Sequence, residues 1–164
     1  MNAPEFLRRG FPEALSALAS MPAFLASALE RAGPEAWRAQ PAGGGFSLVE
    51  HACHLRDLER EGYLARLARM LSEARPELAG FDGAAVALDR DYRSQDAEAA
   101  VRDFAAARAE LVRRLAALGP EELAREGVFA GRTICVTDLV AMVAGHDREH
   151  REEIARLAPG AAAP

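Results

Sequence analysis

The strongest constraint on the fold is a period. Leu139, Met142, Val143, His146, His150, Ile154 and Leu157 recur at spacings of three and four. At about 100° per residue they share one face of a helix. A face this apolar must be buried. Two imidazoles on it, four residues apart, therefore need partners, because an unpaired polar group in a core costs a few kcal/mol. Residues i and i+4 are neighbours on a helix surface, and a metal ion is the partner that satisfies both rings together.

The same period recurs in three earlier segments. The first helix is expected from about Phe11 to Ala32, carrying Leu15, Leu18, Phe24, Leu25 and Leu29, with Pro22 either kinking it or opening a new start capped by Ser20. Gly33-Pro34 ends it. Ser47 and Glu50 have the spacing of a capping box, so the second helix opens there and runs to about Ala74, short of Pro76. The third starts near Asp96, carries Val101, Phe104, Arg108, Leu111, Leu115 and Leu118, and stops at Gly119-Pro120. Thr137 is the expected cap of the fourth, which ends before Pro159-Gly160.

Half of the 164 residues are hydrophobic and 6% are aromatic, with Ala and Leu prominent. That mix favours helix over strand. No strand is predicted, and Gly127–Val136 reads as extended or irregular. The connection from Pro76 to Gln95 is long enough to be functional or mobile. The expectation is an all-α four-helix bundle with long connections, one domain over residues 1–160 and a disordered tail at 161–164.

All 20 basic residues are Arg, yet the net charge is −5 and the charges are interleaved. Runs such as Arg56-Asp57-Leu58-Glu59-Arg60-Glu61 read as solvated, salt-bridged faces, which argues against nucleic-acid binding. Cys53 and Cys135 form no C-x-x-C pair and are expected reduced and buried. No segment is expected to span a membrane. With Glu5, Pro12, Glu13 and Pro22 the N-terminus makes a poor signal peptide, so a cytoplasmic location is expected.

The four His fall in two clusters, His51 with His54 and His146 with His150. Three imidazoles with an open position make a catalytic type of metal site. On the wheel His51 lies mid-stripe and His54 at its rim, and position favours His51 as the third ligand. Asp57 and Glu50, one turn from His54 on either side, are candidates for orienting a ligand imidazole. Cys53 points about 100° away from His54 and is read as core. Arg108 interrupts the third stripe. It is read as snorkelling or paired with a Glu, with an anion clamp as the functional alternative.

Two stretches carry a family resemblance. Phe46-Ser47-Leu48-Val49-Glu50-His51-Ala52-Cys53-His54-Leu55-Arg56-Asp57-Leu58-Glu59 and Gly145-His146-Asp147-Arg148-Glu149-His150-Arg151-Glu152-Glu153-Ile154 resemble the motifs of the DinB-like superfamily. The order of elements extends the likeness over nearly the whole chain. The resemblance implies a four-helix bundle, often a homodimer, holding a divalent metal (Zn, Ni, Mn or Fe) through His54, His146 and His150. His51 would then be core or support a ligand. Phe46 stands where Trp is usual. Glu153 stands where Gln is usual, one turn from His150, as an acceptor for a ligand or an extra ligand.

Characterised relatives include thiol-dependent transferases and isomerases using thiols such as mycothiol or bacillithiol. The implied function is thus a metal-dependent thiol transferase or hydrolase acting on a small molecule, with Asp57 or Glu153 as the nearest base. The competing expectation is a non-enzymatic, stress-related bundle whose metal is structural or absent.

Overall fold

The structure, a computed structural model, describes residues 10–160; the tail expected to be disordered lies outside them. Its long helices are α1 (Phe11–Ala32), α2 (Leu48–Asp57) continued through a π-helical turn (Leu58–Tyr63) into α3 (Leu64–Ser72), α5 (Ala97–Ala116) and α7 (Val136–Leu157). These form the four rods of the bundle. The short elements α4 (Gly83–Asp89) and α6 (Pro120–Leu123) lie in the connections.

Each start has a local cause. Ser47 and Glu50 form the predicted capping box: Glu50 Oε2 accepts from Ser47 N at 2.8 Å, and Ser47 Oγ accepts from Glu50 N at 3.5 Å. Asp96 caps α5 through Ala99 N at 2.9 Å. The cap of α7 is Cys135 rather than Thr137, because Asp138 reaches back to Cys135 N at 2.8 Å. Thr137 is therefore already inside the helix.

Pro22 neither kinks α1 into two helices nor restarts it; the helix is continuous from Phe11 to Ala32. Its buried side carries Leu15, Leu18, Met21, Leu25, Ala28 and Leu29. By length and composition alone α1 is apolar enough to cross a membrane, contrary to the expectation from sequence. The bundle uses that apolar side as core.

A small sheet is the main addition to the predicted architecture. β2 (Glu126–Phe129) and β3 (Arg132–Cys135) form an antiparallel hairpin, and β1 (Glu77–Leu78) pairs parallel to β2. The hairpin pairs Glu126 with Cys135 and Phe129 with Arg132. Its two turn residues, Ala130 and Gly131, have φ of 51° and 75°, the left-handed pair that a tight hairpin turn needs.

Two apolar clusters fill the bundle. One gathers Met21, Leu25, Val49, Leu55, Val101, Phe104 and Ile154; the other gathers Leu18, Leu67, Met70, Leu111, Leu115, Val140 and Val143. Each such side chain contributes about 1.5–3 kcal/mol on burial. Asp57 at the end of α2, Arg108 on α5, and Asp147 and His150 on α7 are buried between residues of the two clusters. This polar waist holds the histidines and a buried ion group.

Candidate metal centre

The four imidazoles meet at the waist. His51 and His54 come from α2, and His146 and His150 from α7. His150 Nε2 lies 2.9 Å from His146 Nε2, and His54 Nε2 lies 3.2 Å from His146 Nε2. One nitrogen from each of these three residues falls within 4.8 Å of the others, as a shared cation requires. Around a tetrahedral ion with Zn–N of about 2.0–2.1 Å, ligand nitrogens sit about 3.3 Å apart. Three Nε2 atoms facing one another cannot all be matched by hydrogen bonds, since a neutral imidazole carries one N–H. The donor set therefore fits a divalent cation.

Burial sets the charge state. It pushes His54 down to about 4, and with the neighbouring His rings it pushes His51 and His150 to about 3 and His146 to about 2. All four rings are neutral near pH 7, the form with a lone pair to give a metal.

The surroundings hold the rings. Phe46 packs edge-on to His51 at 5.7 Å and against His54 at 5.2 Å between ring centroids, so the residue replacing the usual Trp lies on the site itself. Phe81 flanks His54 at 5.9 Å and Tyr63 flanks His146 at 6.1 Å. Gly83 comes so close that a Cβ there would sit 2.5 Å from His54 Cε1. The Nδ1 atoms of His54 and His146 are buried without a hydrogen-bond partner.

His150 differs. Its Nδ1 lies 2.9 Å from His51 Nδ1 and 3.3 Å from Glu153 Oε2, and Glu153 also lies 3.8 Å from His51 Nε2. A cavity of about 210 Å³ borders this side, lined by Phe46, His51, Glu153 and the Pro41–Gly45 loop.

Asp57 stands apart from this arrangement. Its carboxylate accepts from Arg56 at 2.6 Å, Tyr92 Oη at 2.7 Å and Arg90 at 2.8 Å. Burial opposes its charge, but these donors outweigh burial and hold it below the usual carboxylate range. It anchors the Tyr92 turn to α2 instead of standing free as a base. Glu50 is likewise taken, by Ser47 and by Gln40 at 3.0 Å. Cys53 is buried as expected, with burial raising its thiol to about 11; Cys135 is only half-buried.

Arg108 does not snorkel; it is paired with a Glu, the other half of the expectation, and its donors are spent on protein carboxylates rather than held out for a ligand anion. It is 1% exposed. Its guanidinium holds Glu59 at 2.6 and 3.0 Å and Asp147 at 2.5 and 3.0 Å, and donates to Leu18 O at 2.9 Å. That carbonyl is free because Pro22, four residues on, has no N–H to give it. Burial raises both Glu59 and Asp147 against the pull of Arg108. Burial also opposes the Arg108 charge, but the bonds to Asp147 and Glu59 outweigh it and keep the guanidinium protonated.

Glu59 was hidden within the run expected to be solvated. The π turn, closed by Leu64 N to Glu59 O, brings Glu59 inside while Arg60 and Glu61 stay exposed. Tyr63 and Gly83 also gave no signal. Their importance comes from contacts between elements, and no local spacing encodes those.

The profile of the DinB superfamily matches residues 17–154. No curated protein sequence matches the chain significantly. Among solved structures, the chain is similar to YfiT from Bacillus subtilis, described as a probable metal-dependent hydrolase with an unusual four-helix bundle topology. The TM-score is 0.82 and the identity 19%, over 90% of this chain and 85% of that one.

Proposed function

The chain belongs to the DinB superfamily, and from that premise we propose that it is a divalent-metal-dependent enzyme acting on a small molecule, with hydrolysis as the first reading. The observation that carries this is the convergence of His54, His146 and His150 Nε2 on one point in the polar waist. These three residues would hold the ion. When bound, it would supply Lewis acidity and lower the pKa of a coordinated nucleophile toward neutrality.

The chain's own residues prepare the remainder. Burial keeps the imidazoles neutral, and no carboxylate belongs to this trio, so the charge of the cation is left uncompensated by its holders. Phe46, Phe81 and Tyr63 shield the trio with aromatic surface. Glu153, half-exposed beside the cavity, would accept the Nδ1 proton of His150, 3.3 Å away, and orient that ring. The description of YfiT, which shares this fold, as a probable metal-dependent hydrolase supports water as the nucleophile. A cation held there would also deprotonate a coordinating thiol, which makes thiol transfer the second reading.

Elemental analysis of untagged protein tests the proposal. Wild type should carry at least one equivalent of divalent metal per chain, and His146→Ala should lower it. The loaded protein should then cleave members of an ester and amide panel, or conjugate a low-molecular-weight thiol to an electrophile. A folded wild type that takes up no Zn²⁺, Ni²⁺, Mn²⁺ or Fe²⁺ contradicts the proposal.

A further inference from the structure

His150 presents a ligand-type neighbour to each of its two ring nitrogens. Its Nε2 faces His146 at 2.9 Å, and its Nδ1 faces His51 Nδ1 at 2.9 Å and Glu153 Oε2 at 3.3 Å. The outer trio of His51, His150 and Glu153 satisfies the same separation limit as the inner one. Adjacent ligand atoms about 3 Å apart suit one ion with bonds near 2 Å.

The two trios differ in chemistry. The inner has nitrogen donors alone. The outer has a carboxylate to offset a cation's charge, and Glu153 is 51% exposed. The cavity of about 210 Å³ touches His51 and Glu153 and neither His54 nor His146, so it opens onto the outer trio through Glu153. Arg156 at the cavity edge lies 3.9 Å from Glu152, which leaves Glu153 to the histidines.

We propose that the cluster binds two divalent cations, an inner one at His54, His146 and His150 Nε2, and an outer one at His51, Glu153 and His150 Nδ1, with the His150 ring between them. This rests on the inner-site reading above. The second ion takes the place of the proton on His150 Nδ1, which leaves to solvent. His51 gives its Nδ1 lone pair and keeps its proton on Nε2. The cavity leaves the remaining positions of the outer ion open to water or an anionic ligand.

Zn²⁺ titration of untagged, metal-stripped protein, followed by calorimetry and by elemental analysis after dialysis, tests this. Wild type should take up two equivalents. Glu153→Gln and His51→Ala should each keep the tight equivalent and weaken the other at least tenfold. With Cu²⁺ as probe, the doubly loaded protein should show magnetic coupling that Glu153→Gln abolishes. One equivalent in wild type, unchanged in stoichiometry by Glu153→Gln and lost in His54→Ala, overturns the second site while leaving the proposed function intact. No uptake at all defeats both.

Discussion

At the residue scale, the site depends on how closely neighbours pin the imidazoles. Gly83 is the clearest case. A methyl group there would lie 2.5 Å from His54 Cε1, and the ring, held by Phe46 and Phe81, must turn to relieve it. Gly83→Ala should therefore weaken Zn²⁺ binding by about tenfold or more, the usual scale when a ligand's orientation is lost. Competition against a chromophoric chelator measures it; unchanged affinity would show that the contact does not set the ring. The histidines themselves were legible because only four occur and two sit on an apolar stripe. Choosing His54 over His51 was not legible from the wheel, which placed His54 at the rim although it is buried. The structure gives both a place: His54 faces the inner trio and His51 the outer. Gly83 left no trace in the sequence, since a close approach between a loop and a helix has no local spacing.

At the element scale, the bundle is tied together by one cation. Arg108 on α5 holds Glu59 in the π turn, Asp147 on α7 and the Leu18 carbonyl of α1, so all four rods meet at one guanidinium. Removing one partner of a buried ion group leaves uncompensated charge and costs about 3–5 kcal/mol. Arg108→Met should destabilise the protein by about that much in urea unfolding. A loss under about 1 kcal/mol would show that the group is dispensable, as for exposed pairs. The rods were readable from apolar periodicity, and the Ser47–Glu50 cap from its spacing, whereas the sequence points to Thr137 for the cap that Cys135 provides. The π turn was not readable, because its inserted residue shifts the phase after Asp57 and turns Glu59 inward against the pattern. The sheet was missed for a related reason: its strands are two to four residues long, too short for alternation to show.

At the scale of the whole molecule, the waist makes stability depend on pH and on metal. The four His rings, three buried and His146 partly so, have values of about 2 to 4 and bind fewer protons folded than unfolded, where the value is near 6.5. Their contribution is thus fully present above about pH 6.5 and is lost as pH falls toward the folded values, at up to about 1.4 kcal/mol per pH unit for each ring. Glu59 and Asp147, raised by burial, act in the opposite sense. The metal-free protein should lose thermal stability between pH 7 and pH 5, read as a falling Tm in the presence of a chelator. A Tm that is flat or rises over that range would contradict neutral, buried imidazoles. Adding Zn²⁺ at pH 7 should raise Tm, because a ligand bound only by the folded chain stabilises it. The most direct test of the central claim is Zn²⁺ affinity in wild type beside His54→Ala and His146→Ala, each confirmed folded by circular dichroism. The account predicts tight uptake by wild type and loss of the tight equivalent in both variants; undiminished tight binding in either would show that these imidazoles do not share an ion.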